Sequence, residues 1–282
     1  MKFILSKEKI DMHVYRNTNQ IVLLGHLKEK LIYSINKEIY HKLSLIIERK
    51  PLSGTQKAQD VLEEMIQYYQ ARKVSIQVVQ FDFHIPTKPI AELIHFIYQQ
   101  KLQGDDQITV NISSGLRYMV IWLYIACSIT NSRIIHGDFI YEDSKEVGIT
   151  SNMELPTIPF PLISDKQFEF LELFFDTYDN YQDFFKPELT FNDNSLLTKR
   201  KVYKSLEDLK DALEMKRNES LSRGSINGYI QKLNKISAIK IYPNLDDKKE
   251  KTIEISYLGI SHFLNKILSN KIELLKNDRP TV

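Results

Sequence analysis

Cysteine is nearly absent from this chain: there is one, Cys127, in 282 residues. A single thiol excludes a disulfide framework and a cysteine-built zinc site, and a reducing, cytoplasmic setting is expected. Long hydrophobic runs are lacking too. The longest, Met119 to Ile129, falls short of the ~20 residues a membrane span needs and reads as a buried helix. The apolar stretch Phe3-Ile4-Leu5 is too short for a secretory leader, so no membrane partner is expected. No Gly-x-Gly-x-x-Gly follows the first strand-like run, which argues against an ordinary dinucleotide dehydrogenase, and there is no P-loop. The histidines at 13, 41, 84, 95, 136 and 262 show no metal-ligand spacing, so no metal and no cofactor are expected.

What is present is a 43% hydrophobic chain long enough for two domains. Its net charge of +2 hides an uneven distribution. Residues 161–195 carry 2 basic and 8 acidic side chains, and residues 196–282 carry 18 basic and 11 acidic ones. The basic excess therefore sits in the last third, as expected of a segment that meets a polyanion. A lysine-rich solvated surface would look the same.

Residues 1–160 alternate strand and helix. Aliphatic runs at 21–24, 43–47, 74–81, 107–112 and 133–141 read as strands, with 147–150 pairing as a hairpin. Helical periodicity occupies 27–40, 55–73, the stretch after Pro86 and Pro89, and 116–129. Pro51, Ser53 and Gly54 break the chain between them. The pattern predicts a Rossmann-like, mainly parallel α/β sheet with helices on both faces. Residues 1–19 stand outside it as an edge element or an arm. Ligands of such sheets bind where strand order reverses, here between the first and fourth strands. The loops to inspect are Gly25-His26-Leu27-Lys28 and Asn111-Ile112-Ser113-Ser114-Gly115-Leu116-Arg117. The second offers hydroxyls, a glycine, a helix N-terminus and a fixed cation, all suited to an anion. Ser113 and Ser114 are equally suited to capping the helix that follows.

The stretch Ile108-Thr-Val-Asn-Ile-Ser-Ser-Gly-Leu-Arg-Tyr-Met-Val120 resembles the signature of CARF domains, the CRISPR-associated Rossmann-fold sensors, and the strand–helix order over about 20–150 agrees. The resemblance implies a homodimer binding a cyclic oligoadenylate, with cyclic tetra-adenylate the first expectation. It implies ligand contacts from Asn111, Ser113, Ser114, Gly115 and Arg117, with Gly25, His26 and Lys28 opposite. One departure is the single glycine after two serines, where many such domains carry paired glycines. Some CARF proteins cleave the ring without metal; Ser113, Ser114, Arg117, Lys28 and His26 would then be the actors.

Residues 161–195 read as a first helix from Ile163 to Tyr178 and an acidic linker. Residues 196–282 read as a winged helix-turn-helix domain. Ser205-Leu-Glu-Asp208 opens a helix as a capping box. The helix from about Ser222 to Ile236 buries Ile226, Tyr229, Ile230 and Leu233 by spacing. Its other face presents Arg223, Ser225, Asn227, Gln231 and Lys235, types that read base edges and phosphates. A hairpin with Lys248, Lys249 and Lys251 near its tip reads as the wing, and Tyr257 starts a closing helix. The expected partner is double-stranded DNA, and the expected role a ligand-responsive transcription regulator in antiviral defence.

Overall fold

The computed structural model describes residues 17–49, 55–105, 107–143, 145–158, 160–175, 200–245, 247 and 249–277. Residues 1–16 of the expected arm, Pro51, Ser53 and Gly54, residues 176–195 of the acidic segment, and Lys248 lie outside the described residues.

Five aliphatic runs form parallel strands: β1 (Thr18–Leu23), β2 (Lys42–Glu48), β3 (Ser75–Phe81), β4 (Gln107–Asn111) and β5 (Arg133–Glu142). A sixth, β6 (Lys145–Leu155), returns antiparallel along β5 and is longer than the short hairpin partner read at 147–150. The order is β3-β2-β1-β4-β5-β6, a Rossmann-like sheet. The helices α1 (Lys28–Ile35), α2 (Gln56–Gln70), α3 (Lys88–Leu102) and α4 (Arg117–Thr130) connect the parallel strands. Both faces of the sheet are apolar, as burial on both sides demands. Val22 and Leu24 of the first strand's run join a cluster with α1 and α2, whereas Ile21 and Leu23 join one with α3 and α4. Strand order reverses at the β1–β4 pair, whose partners run from Thr18 and Gln107 to Val22 and Asn111.

The later part comprises α5 (Asp165–Glu172), β7 (Val202–Tyr203), α6 (Leu206–Arg217), α7 (Arg223–Lys235), β8 (Ile239–Pro243), β9 (Lys251–Ile255) and α8 (Tyr257–Asn277). The three strands make a second sheet in the order β7-β9-β8. The two-residue β7 was not anticipated, since two residues carry no periodicity. The first of these helices ends at Glu172 rather than running to Tyr178, and Phe175 instead makes an antiparallel bridge with Arg200. Ser164 caps α5 with a full capping box, its Oγ accepting from Gln167 N–H while Gln167 bonds back. At α6 only half of the expected box forms: Ser205 Oγ accepts from Asp208 N–H at 3.0 Å. Aspartate is one methylene shorter than the glutamate that completes this motif.

The tertiary feature the pattern did not foresee is where α8 goes. This helix lies along α3 and touches α4, so one buried cluster runs from β1 and β4 through α3, α4 and α8 into α5, α6, α7 and the small sheet. Tyr98 Oη of α3 donates to Asn265 Oδ1 of α8 at 2.5 Å. Phe263 of α8 is stacked by Phe168 at 5.0 Å and Phe175 at 4.4 Å. Gly259 lets the start of α8 press on the small sheet, because a Cβ there would lie 2.0 Å from the Ala238 carbonyl oxygen.

Beside these rings His262 is 3% exposed, 5.0 Å from the Phe160 ring, with its Nε2 unpartnered among the described residues. Burial pushes its imidazole down to about 4. The unfolded chain, with an ordinary histidine near 6.5, then takes up this proton before the folded one does. The stability His262 preserves while neutral is full above about pH 6.5 and falls as pH drops toward 4. Urea unfolding at pH 7 and pH 4 is expected to show His262→Leu gaining about 2–3 kcal/mol on the parent over that interval; parallel curves would contradict this.

Candidate functional site

The turns leaving β1 and β4 meet at the switch point. Gly25 is buried, and a Cβ on it would fall 1.8 Å from Ser114 Oγ and 2.7 Å from the Gly115 backbone nitrogen. No side chain fits between the two turns. Gly115 has φ +96°, a left-handed conformation that glycine adopts without steric cost, and a Cβ on it would strike Leu23 at 2.4 Å. One glycine therefore brings the turns together, and the other reverses the chain into α4.

Above this contact opens a cleft of about 650 Å³ lined by Gly25, His26, Leu27, Lys30, Ser113, Ser114, Gly115, Arg117, Ile121 and His136, among others. Two helix N-termini face this region. The N-cap positions are Leu27 for α1 and Leu116 for α4, and neither has a side-chain cap bond. The N-cap position of α4 is Leu116, so neither Ser113 nor Ser114 occupies it. Helix N-termini of this kind favour anions. Arg117 is exposed and forms no ion pair among the described residues. The cleft therefore offers two helix dipoles, a guanidinium, the Lys30 ammonium and two imidazoles.

The residues singled out from sequence divide into two groups. Gly25, His26, Ser113, Ser114, Gly115 and Arg117 line the cleft. Asn111 is fully buried: its Nδ2 donates to Ser34 Oγ at 2.8 Å, and its Oδ1 accepts from the Ser113 backbone N–H at 3.0 Å. It shapes the turn from below and does not face a ligand. Ser113 is 3% exposed; its Oγ lies 2.6 Å from Asn111 Oδ1 and 2.9 Å from Ser34 Oγ and accepts from Gly137 N–H at 2.8 Å. With three neighbours, that hydroxyl has little capacity left for a ligand. Lys28 points away from the cleft and pairs with Glu64 of α2, which holds its ammonium above the usual range. Lys30, two residues on and so on the other side of α1, lines the cleft in its place and lies 4.1 Å from the Phe139 ring centroid.

Sequence reasoning missed Lys30 and His136. His136 stands on β5 one residue past Ile135, the partner of the last β4 residue, so it emerges beside the β4 turn. A histidine in a strand carries no motif, and its position could be found only from the β4–β5 register. Ser34 of α1 was missed as well. It bonds Asn152 Oδ1 of β6 at 2.8 Å, and Asn152 reaches Glu38, which pairs with Arg133 at 2.6 Å. A buried polar network thus ties the cleft floor to β5, β6 and α1.

In the later part of the chain, α7 exposes Ser225, Asn227, Gln231 and Lys235 while burying Ile226, Ile230 and Leu233. Ser225 N–H donates to the Ser222 cap at 3.1 Å. Arg223 is exposed, but its guanidinium holds Glu207 of α6 at 2.8 Å. Lys249 and Lys251 are exposed beside the β8–β9 turn.

The division of labour between the two serines is measurable. Ser113→Ala leaves Gly137 N–H and the Asn111 amide short of partners and is expected to cost about 1–3 kcal/mol in urea unfolding. Ser114→Ala is expected to stay within about 0.5 kcal/mol of the parent. Equal costs for both would contradict the assigned roles.

No protein-family model matches the chain, and no curated protein matches it. Among solved structures the chain is similar to three proteins bound to or activated by cyclic oligonucleotides. Can2 from Sulfobacillus thermosulfidooxidans in complex with cyclic tetra-adenylate is 13% identical; the match covers 94% of this chain and 69% of that one, with TM-score 0.32. Enterococcus italicus Csm6 bound to cyclic hexa-2′-fluoro-hexa-dAMP is 12% identical over 93% and 78%, with TM-score 0.37. A type III CRISPR defence DNA nuclease activated by cyclic oligoadenylate is 10% identical over 80% of this chain and only 36% of its own, with TM-score 0.36. Likeness at this level carries no ligand or activity over to this chain.

Proposed function

We propose that this chain is a cyclic oligoadenylate-binding, DNA-binding transcription regulator of CRISPR-associated defence, acting as a homodimer. The observation that carries the reading is the cleft, where two helix N-termini without side-chain caps meet Arg117 and Lys30 at the switch point of the sheet. A phosphodiester ring needs several anion sites at once, and two-fold symmetry would supply each of them twice. Leu27 and Ile121 on the cleft wall are each 54% exposed, apolar surface that a second copy would cover. The resemblance of residues 108–120 to the CARF signature supplies the identity of the ring.

The DNA-binding part rests on α6, α7 and the β8–β9 hairpin read as a winged helix-turn-helix. Gly224 and Gly228 of α7 support it. A Cβ at Gly228 would meet nothing within 4 Å, and one at Gly224 only Ser222 Oγ at 3.7 Å. The fold does not require either glycine, yet each costs an exposed helix about 1 kcal/mol relative to alanine. Close approach of another backbone is a reason to keep them. Arg223 would exchange Glu207 for phosphate or guanine on binding. A ligand that binds one dimer geometry better than another would shift the spacing of the two α7 helices through α4, α3 and α8.

Fluorescence anisotropy with promoter DNA, with and without cyclic tetra-adenylate, tests the reading. DNA affinity is expected to change about 5–150-fold at saturating ligand, and Arg117→Ala is expected to abolish that response while leaving ligand-free DNA binding intact. Equal affinity in both conditions would refute the coupling. Gly228→Ala is expected to raise stability by about 1 kcal/mol while weakening DNA binding; unchanged binding would remove the argument from the glycines.

A second reading is favoured by His26 and His136 lining the same cleft. Metal-independent cleavage of the ring, by 2′-hydroxyl attack on the adjacent phosphate, needs a base and an acid within reach. Incubation of the protein with radiolabelled cyclic tetra-adenylate, analysed for linear product, separates a sensor from a ring nuclease.

A further inference from the structure

A second group of chemistry-bearing side chains lies at the carboxyl end of the same sheet, two strands from the switch point. Glu48 ends β2, and Asp82 and His84 follow β3. One ligand atom from each lies within 4.8 Å of the other two. Glu48 is 1% exposed. Its Oε1 accepts from the Phe83 backbone N–H at 3.1 Å and lies 3.4 Å from His84 Nδ1. Its Oε2 is buried with no partner among the described residues.

Among the described residues, the nearby arginine and lysine pair with carboxylates other than Glu48. Arg49 and Lys88 both grip Asp82 on its Oδ2, and both also reach Glu92 at 3.5 Å. Two cations thus serve two carboxylates, Asp82 and Glu92, and among the described residues neither pairs with Glu48. A buried carboxylate oxygen without a partner is costly unless it is protonated or meets a cation. Burial pushes the Glu48 carboxyl up, against bonds from His84 and the Phe83 N–H.

We infer that Glu48, His84 and Asp82 form a binding site for a divalent transition-metal ion of the zinc class. One imidazole and two carboxylates are a ligand set such ions take, with the remaining positions open to water. One pair already stands at the needed spacing, and Asp82 lies within 4.8 Å of both: at metal–ligand distances of about 2.0–2.1 Å, tetrahedral ligands stand roughly 3.3–3.4 Å apart. The Glu48 Oε1–His84 Nδ1 separation is 3.4 Å. The His84 side chain is 40% exposed, which gives the ion a path in. The ion would pin the β3–α3 loop to the end of β2. It would also sit near the first turn of α4, where burial, with a smaller contribution from the charge of Glu48, raises the Tyr118 phenol. The residues are distant in sequence, at 48, 82 and 84, and no spacing motif announces them.

The test uses the full chain, stripped with chelator and free of any affinity tag, titrated with Zn²⁺ by calorimetry and with Co²⁺ by absorption spectroscopy. The expected result is one equivalent bound and a rise in the thermal midpoint, with a Co²⁺ visible band of tetrahedral or five-coordinate intensity. His84→Ala changes a half-exposed side chain and is expected to weaken binding by more than about tenfold and to alter the Co²⁺ band. Glu48→Gln is expected to do the same. Binding below half an equivalent, or binding that His84→Ala leaves unchanged, would overturn the assignment. Either outcome leaves the proposed cyclic oligoadenylate and DNA sites, which lie on other residues, to be tested separately.

Discussion

The cleft depends on one close contact, that of Gly25 against Ser114 and Gly115. Parallel pairing of β1 with β4 delivers both turns to the same edge of the sheet, and their separation leaves no space for a Cβ on Gly25. Because the turns touch, the N-termini of α1 and α4 open toward one space. Arg117 and Lys30 then share a cleft with His26 and His136. A wider gap would leave two unrelated helix ends, each a weak anion site alone.

Beneath that contact lies a hydrogen-bonded network of polar side chains. Asn111, Ser113, Ser34 and Asn152 satisfy one another in a buried network that reaches Arg133 through Glu38. Such a network specifies one arrangement, since a shift of any member strands the others. It also sets the roles of the turn. Ser113 faces inward as a strut, and the groups that line the cleft around it include Ser114, Arg117 and Lys30.

The path away from the cleft is apolar. Arg117 begins α4, α4 packs on α3, and α3 carries α8, whose Phe263 is held between Phe168 and Phe175 near the small sheet. Close-packed interiors transmit strain because they cannot yield locally. A displacement of α4 by an occupied cleft would therefore be felt at α8. Coupling of this kind stands on the continuity of one core, with no requirement for a chain of polar contacts.

The sequence by itself determined the local elements and the strand order at the switch point. Alternating aliphatic runs and helical periods specify β1 to β5 and α1 to α4, and the glycine-bearing turns mark the ends of β1 and β4. Ser205 and Ser222 mark the starts of α6 and α7. These are short-range properties, set by periodicity and by capping chemistry over a few residues. Only the tertiary structure decided which side chains of those turns face solvent. It turned Asn111 and Ser113 inward, sent Lys28 to Glu64, and brought Lys30 and His136 to the cleft. It also laid α8 along α3 and gathered Glu48, Asp82 and His84. Each of those outcomes depends on register and packing between segments tens of residues apart, and a one-residue change in register reverses the direction of every side chain on a strand.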